Sequence, residues 1–202
     1  MLEQIKIGKE NKYLFIPKNS GLQRYVEQSI NEFILPDGIK ILKRRGEDIP
    51  KLMDILYREE GVKSIGLTGD DLYDEYRYKN PKNNLEVFNT IDWIDEKARF
   101  GRPVLSLISK DKSLEEFKKE MPLVGVPKKY SFTIQRYLKN IFRENFDENK
   151  IVEFAGGVEE NINLGLYNYA FDIVYTGASL KENNLKILEI IRSSDFVSLK
   201  IK

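Results

Sequence analysis

Three times in this chain an apolar run ends in a small, glycine-bearing turn and hands over to a polar stretch. The three are Leu67-Thr68-Gly69-Asp70-Asp71, Phe154-Ala155-Gly156-Gly157-Val158-Glu159 and Val174-Tyr175-Thr176-Gly177-Ala178-Ser179-Leu180. A short apolar run bounded by such turns is a buried strand, and a polar run with helical spacing after it is a helix. A chain that keeps alternating the two must build a sheet with helices packed on its faces. In open sheets of that kind, ligands gather at the carboxyl ends of the strands. The three turns therefore predict both the architecture and where its chemistry would sit.

The rest of the chain carries the alternation through. Strands are predicted at Tyr13–Pro17 and Ile39–Leu42, within Ser64–Asp71 where the strand ends in a glycine turn, at Arg102–Lys110 and Leu123–Pro127, and within Lys150–Gly157 and Tyr169–Gly177, each running into glycine, with an extra one near Leu85–Ile94. Leu22, Tyr25, Val26, Ser29, Ile30 and Phe33 fall at helical spacing. A second helix runs to Gly61, with Asp48 as its expected N-cap and Pro50 in its first turn. Ser113 and Glu116 form a capping-box pair at the head of another. Tyr76–Asn84 is polar and reads as a surface loop, and Leu185–Ile191 and Phe196–Ile201 read as two closing strands. Two successive α/β halves result, with the break near Arg99–Pro103 and the closing strands returning to the first half. The expected units are residues 1–102 with 184–202, and residues 103–183.

Composition removes whole classes of chemistry. The 202 residues contain no cysteine and no histidine, so thiolate and imidazole catalysis and Cys or His metal sites are excluded. Thirty-three basic residues against thirty-two acidic ones leave a net charge of +1, which gives no footprint for nucleic acid or an anionic membrane. The charged opening segment, Met1–Glu10, lacks the apolar stretch of a signal peptide, and no apolar run reaches membrane-spanning length. A cytoplasmic protein is expected. No P-loop and no dinucleotide-binding glycine fingerprint is present.

The third turn is the most suggestive. Glycine and alanine let an anion approach the backbone closely, and amides opening a helix favour negative charge. Thr176 and Ser179 add hydroxyl groups, and Asp172, on the entering strand, could hold sugar hydroxyls. A plain strand-to-helix connection explains the same residues. Glu159 and Glu160 equally suit a helix's first turn on dipole grounds alone, and Asp70 or Asp71 could simply cap a helix. Lys43-Arg44-Arg45 and Lys128-Lys129 lie beside predicted strand ends, where cations suit either solvent or a polyphosphate.

The segment Asp172-Ile-Val-Tyr-Thr-Gly-Ala-Ser-Leu180 resembles the phosphoribosyl-diphosphate loop of the ATP phosphoribosyltransferases, which open histidine biosynthesis. The likeness continues in order: Phe15–Lys18 is similar to the family's Pro-Lys strand, and Arg45–Pro50 to its Arg-x-x-Asp-Ile-Pro helix start. Ser64–Leu72 is similar to its Thr-Gly-x-Asp turn, and Phe154–Leu166 to its Gly-Ser-Val-Glu segment. The departures are Asn19-Ser20 for Gly-Arg, Asn168 for an aspartate, Gly157 for serine, Ser179 for threonine, Asn184 for glycine, and Lys128–Ser131 for the family's Thr-Lys/Glu-Tyr-Pro.

The resemblance implies a periplasmic-binding-protein-like fold of type II, two lobes with a cleft between them. It implies attack of N1 of ATP on C1 of phosphoribosyl diphosphate, with pyrophosphate leaving and Mg²⁺ arriving bound to substrate. Thr176, Gly177, Ala178, Ser179 and Leu180 would cradle the 5-phosphate. Asp172 and Glu159 would hold the ribose, Lys18 and Arg45 would face phosphates, and Thr68, Gly69 and Asp71 would line the substrate site. The length resembles the family's short form, which implies a homo-oligomer and a partner resembling histidyl-tRNA synthetase. Two other readings stay open: a non-catalytic ligand-binding module on the same fold, favoured by Asn19, Ser20 and Asn168, and a phosphoribosyltransferase with another acceptor base.

Overall fold

The computed structural model describes residues 4–202; Met1–Glu3, the start of the charged opening segment, lie outside the described residues. The chain divides into two compact units, Met1–Trp93 with Asp195–Lys202, and Ile94–Ser194.

The first unit runs β1 (Ile5–Lys6), β2 (Asn11–Pro17), α1 (Gln23–Asn31), β3 (Phe33–Ile34), β4 (Lys40–Arg44), α2 (Ile49–Glu60), β5 (Lys63–Gly69), α3 (Asp70–Lys79) and β6 (Leu85–Ile91). The second runs β7 (Val104–Ser109), α4 (Leu114–Lys119), β8 (Val124–Pro127), α5 (Ser131–Phe142), β9 (Ile151–Phe154), α6 (Val158–Asn163), β10 (Tyr169–Val174), α7 (Ala178–Glu182) and β11 (Lys186–Ser193). Strand β12 (Phe196–Ile201) completes the first unit.

Each unit is built on a five-stranded mixed sheet, in the orders β4-β2-β5-β12-β6 and β11-β7-β10-β8-β9. In the first, β4, β2 and β5 are parallel and β12 runs antiparallel to β5 and β6. Strand β2 is buried on both faces: Leu14 and Ile16 pack with Tyr25, Val26 and Ile65, and Phe15 packs with Met53, Val197 and Leu199. Burying one such side chain completely contributes about 1.5–3 kcal/mol, so the central strands hold the unit together. The head of β12 is pinned by paired bonds: Asp70 N–H donates to the Asp195 carbonyl (2.9 Å) and Asp195 N–H to the Asp70 carboxylate (3.0 Å).

In the second sheet β8, β9 and β10 are parallel, and β7 runs antiparallel to β10 and β11. Side chains alternate across β10. Ala170 and Val174 join Val158, Ile162 and Leu180 of α6 and α7. Phe171 turns the other way, its ring centroid 6.3 Å from Phe117 and 5.7 Å from Tyr137. Asp172 therefore lies on the α6–α7 face. The expected capping box heads α4: Ser113 Oγ accepts the Glu116 amide (3.2 Å) and the Glu116 carboxylate accepts the Ser113 amide (2.8 Å).

Four expectations are revised. The first helix stops at Asn31, and Phe33–Ile34 instead pairs in parallel with β1, a short-range signal two residues long. Asp48 makes no cap bond, because a 3₁₀ turn over Gly46–Asp48 already leads into α2. Helix α3 extends into the polar segment as far as Lys79, supported by Arg77–Asp74 (2.8 Å) and Lys79–Glu75 (2.7 Å) pairs. Strand β11 pairs with β7 of the second sheet, so only β12 returns to the first, and the crossings fall at 93/94 and 194/195 rather than 102/103 and 183/184.

Candidate functional site

In the second unit the parallel strands β8, β9 and β10 deliver three connections to one sheet edge: Lys128–Tyr130, Ala155–Gly157 and Tyr175–Gly177. The last two lead into helices through left-handed glycines, Gly157 at φ 68° and Gly177 at φ 79°. A side chain there would be strained, which is why the sequence places glycine at both. The N-cap residue of each helix is itself glycine and makes no side-chain cap bond. Thr176 Oγ accepts the Ala178 amide (3.3 Å) and shapes the loop from within. Thr176 and Ala178 are exposed and Ser179 half-buried. Leu180 is buried with Val158 and Val174, so it anchors the loop.

Asp172 and Glu159 meet at this edge. Burial raises the Asp172 pKa, and the facing Glu159 carboxylate and a hydrogen bond with it raise it further, to about 7. The Ile173 amide, donating at 2.8 Å, and the Lys129 charge oppose the shift without cancelling it. Asp172 thus keeps its proton up to near neutral pH. Across the strand pair, Asp172 faces Ser106, whose buried hydroxyl has no hydrogen-bond partner. Lys129 is exposed over the Tyr130 ring (5.1 Å).

Two residues that support this edge, one behind the pair and one over the loop, carry no motif. Tyr167 donates from its hydroxyl to the Val158 carbonyl (2.9 Å), fixing the first turn of α6 and with it Glu159. Its ring covers Gly125, where a Cβ would come within 2.1 Å of it. Arg99 donates its amide to the Tyr175 carbonyl (2.8 Å), and its side chain lies over Gly177. A tyrosine 42 residues after a strand glycine, or an arginine 78 residues before Gly177, gives no periodic signal, so only the fold reveals them.

In the first unit β2, β4 and β5 likewise end at one edge, which gathers Lys18, Arg45, Thr68, Gly69 and Asp71. Lys18 N–H donates to the Arg44 carbonyl (2.7 Å), and both the Lys18 and Arg45 side chains are exposed. Thr68 is fully buried and its hydroxyl donates to the Gly46 carbonyl (2.9 Å), so it ties β5 to the loop after β4. Asp71 is buried, with a carboxylate oxygen in the space over Gly69 that a Cβ would need. Asn168 precedes β10, about 13 Å along the strand from Asp172, so that departure falls away from the loop edge. Among the described residues, no three carboxylates gather as a metal site, and no helix is long and apolar enough to cross a membrane.

The HisG family of ATP phosphoribosyltransferases matches residues 45–199. An ATP phosphoribosyltransferase of Staphylococcus carnosus is 27% identical over 158 residues, 78% of this chain and 64% of the relative. This chain thus spans less than two thirds of that relative's length. A solved ATP phosphoribosyl transferase (HisG:HisZ) complex from Thermotoga maritima aligns at TM-score 0.62 and 22% identity, covering 94% of this chain and 85% of that one. The periplasmic aliphatic sulphonate binding protein of Escherichia coli aligns at TM-score 0.50 and 12% identity, covering 94% and 61%. The fold is α/β and like that of the type II periplasmic binding proteins, and the chain belongs to the ATP phosphoribosyltransferase family.

Proposed function

We propose that the protein transfers phosphoribosyl from phosphoribosyl diphosphate to N1 of ATP, releasing pyrophosphate, as the first step of histidine biosynthesis. The observation that carries this reading is the Asp172–Glu159 pair beside the Thr176–Leu180 loop, in a chain of this family. The loop backbone takes the 5-phosphate. The carboxyl pair accepts hydrogen bonds from the ribose hydroxyls, which replace the Asp172 proton as its stabilising partner. The N1 lone pair forms the new bond to C1 while the bond from C1 to the pyrophosphate oxygen breaks and its electrons leave with that oxygen. No protein nucleophile is required, which suits a chain without cysteine or histidine. Catalysis is then positioning and charge neutralisation.

Lys18 and Arg45 are exposed cations suited to the pyrophosphate or ATP phosphates. Mg²⁺ fits best as a companion of the diphosphate, neutralising the leaving group, because the acidic groups at the loop edge are taken up by the ribose. Thr68, Gly69 and Asp71 fit a role as the frame of the first unit's edge. A homo-oligomer in the cytoplasm, with a regulatory partner chain in the place that HisZ holds in the Thermotoga maritima complex, completes the reading.

Consumption of phosphoribosyl diphosphate with ATP, set against other purine and pyrimidine acceptors, tests it. Turnover restricted to ATP supports the assignment. Turnover with another base alone would make the protein a different phosphoribosyltransferase, and binding without turnover would make it a ligand-binding module.

A further inference from the structure

We propose that Arg99 is a substrate-binding residue that clamps the 5-phosphate onto the Thr176–Ser179 loop; this rests on the reading above and adds to it a residue outside the loop. The segment Asp95–Gly101 is a built structure. Asp95 N–H donates to the Gly101 carbonyl (2.7 Å), Ala98 N–H to the Asp95 carbonyl (3.0 Å) and Gly101 N–H to the Ala98 carbonyl (3.0 Å). It is fastened to the end of β10 twice, by the Arg99 amide on the Tyr175 carbonyl (2.8 Å) and by the Tyr175 hydroxyl donating to the Asp95 carboxylate.

This fastening carries the Arg99 side chain across the loop. A Cβ placed on Gly177 would lie 3.2 Å from Arg99 Cδ and 3.4 Å from its Nη1. The guanidinium stacks on Phe100, 5.6 Å from the ring centroid, and has no carboxylate partner among the described residues. It is exposed. The edge sets two carboxyls, Asp172 and Glu159, beside the loop that receives the phosphate; Lys129 lies near Asp172, and Thr176–Leu180 itself contains no cation. A stacked, pre-oriented guanidinium with unused donors is the group that recognises phosphate bidentately. A charge-assisted bond of this kind is worth about ten- to hundredfold in affinity.

Calorimetric titration of ribose 5-phosphate, with steady-state kinetics for both substrates, tests this on wild type, Arg99→Met and Arg99→Lys. The methionine variant keeps the backbone tie and an apolar stem over Phe100, and an unchanged urea midpoint verifies its fold. The expected result is ribose 5-phosphate binding and phosphoribosyl diphosphate KM weakened about tenfold or more, ATP KM within about twofold, and partial recovery in Arg99→Lys. Equal ribose 5-phosphate affinity in wild type and Arg99→Met would overturn the role of Arg99 while leaving the loop reading intact. Absence of binding by wild type itself would overturn both.

Discussion

Asp172→Asn separates what the fold wants from what the proposed chemistry wants. The change is isosteric, the amide oxygen can still accept from the Ile173 N–H, and the amide NH₂ can donate to Glu159 in place of the Asp172 proton. Its folded pKa of about 7 stands roughly three units above the ordinary 3.8. Asp172 therefore binds its proton more tightly in the folded than in the unfolded chain. Its contribution is fully present below about pH 4 and is lost as pH rises toward about 7, where a second negative charge must form beside Glu159. At about 1.4 kcal/mol per unit the ceiling is about 4 kcal/mol, and solvent at this edge reduces it to about 2–3 kcal/mol. The neutral amide escapes that cost. Urea unfolding followed by circular dichroism should show Asp172→Asn more stable than wild type by about 2–3 kcal/mol at pH 8 and nearly equal to it at pH 4. Turnover at pH 8 should fall at least tenfold in the same variant. A stability difference independent of pH, or a less stable variant at pH 8, would refute the coupling between Asp172 and Glu159.

Other substitutions probe the supports of the pair and the loop. Gly177→Ala places a side chain at φ 79° and against Arg99, so a loss of about 1–2 kcal/mol in urea unfolding, with weaker phosphoribosyl diphosphate binding, is expected. Tyr167→Phe leaves the Val158 carbonyl without its donor. It should lose about 1 kcal/mol and raise the KM for phosphoribosyl diphosphate more than that for ATP. Ser106→Ala removes a buried hydroxyl that has no partner, and a stability equal to or up to about 1 kcal/mol above wild type is expected; a loss beyond about 1 kcal/mol would mean that the hydroxyl is bonded.

How much of this was legible in the sequence follows from the range of the forces involved. The α/β alternation, the capping box at Ser113 and the glycine turns are local, and local spacing revealed them. The assignment of β11 to the second sheet is a long-range pairing with β7, and the tail's apolar pattern suits either sheet equally. Asp48 looked like a cap because residue type alone does not show the 3₁₀ turn ahead of α2. At the candidate site the loop and its two acids stood out through motif order. Thr68 and Leu180 belong to the same motifs, yet the fold buries both, one to tie a loop and the other to anchor one. Tyr167 reaches the site through the Val158 carbonyl and Gly125, and Arg99 through the Tyr175 carbonyl and Gly177, contacts that no periodicity encodes.

The most direct test of the central claim is product formation. Purified wild type and Asp172→Asn would be incubated with ATP, phosphoribosyl diphosphate and Mg²⁺, with and without an added regulatory subunit, and phosphoribosyl-ATP detected by mass spectrometry. Phosphoribosyl-ATP from wild type, falling at least tenfold in the variant, is the predicted result. Its absence from wild type under both conditions would contradict the account.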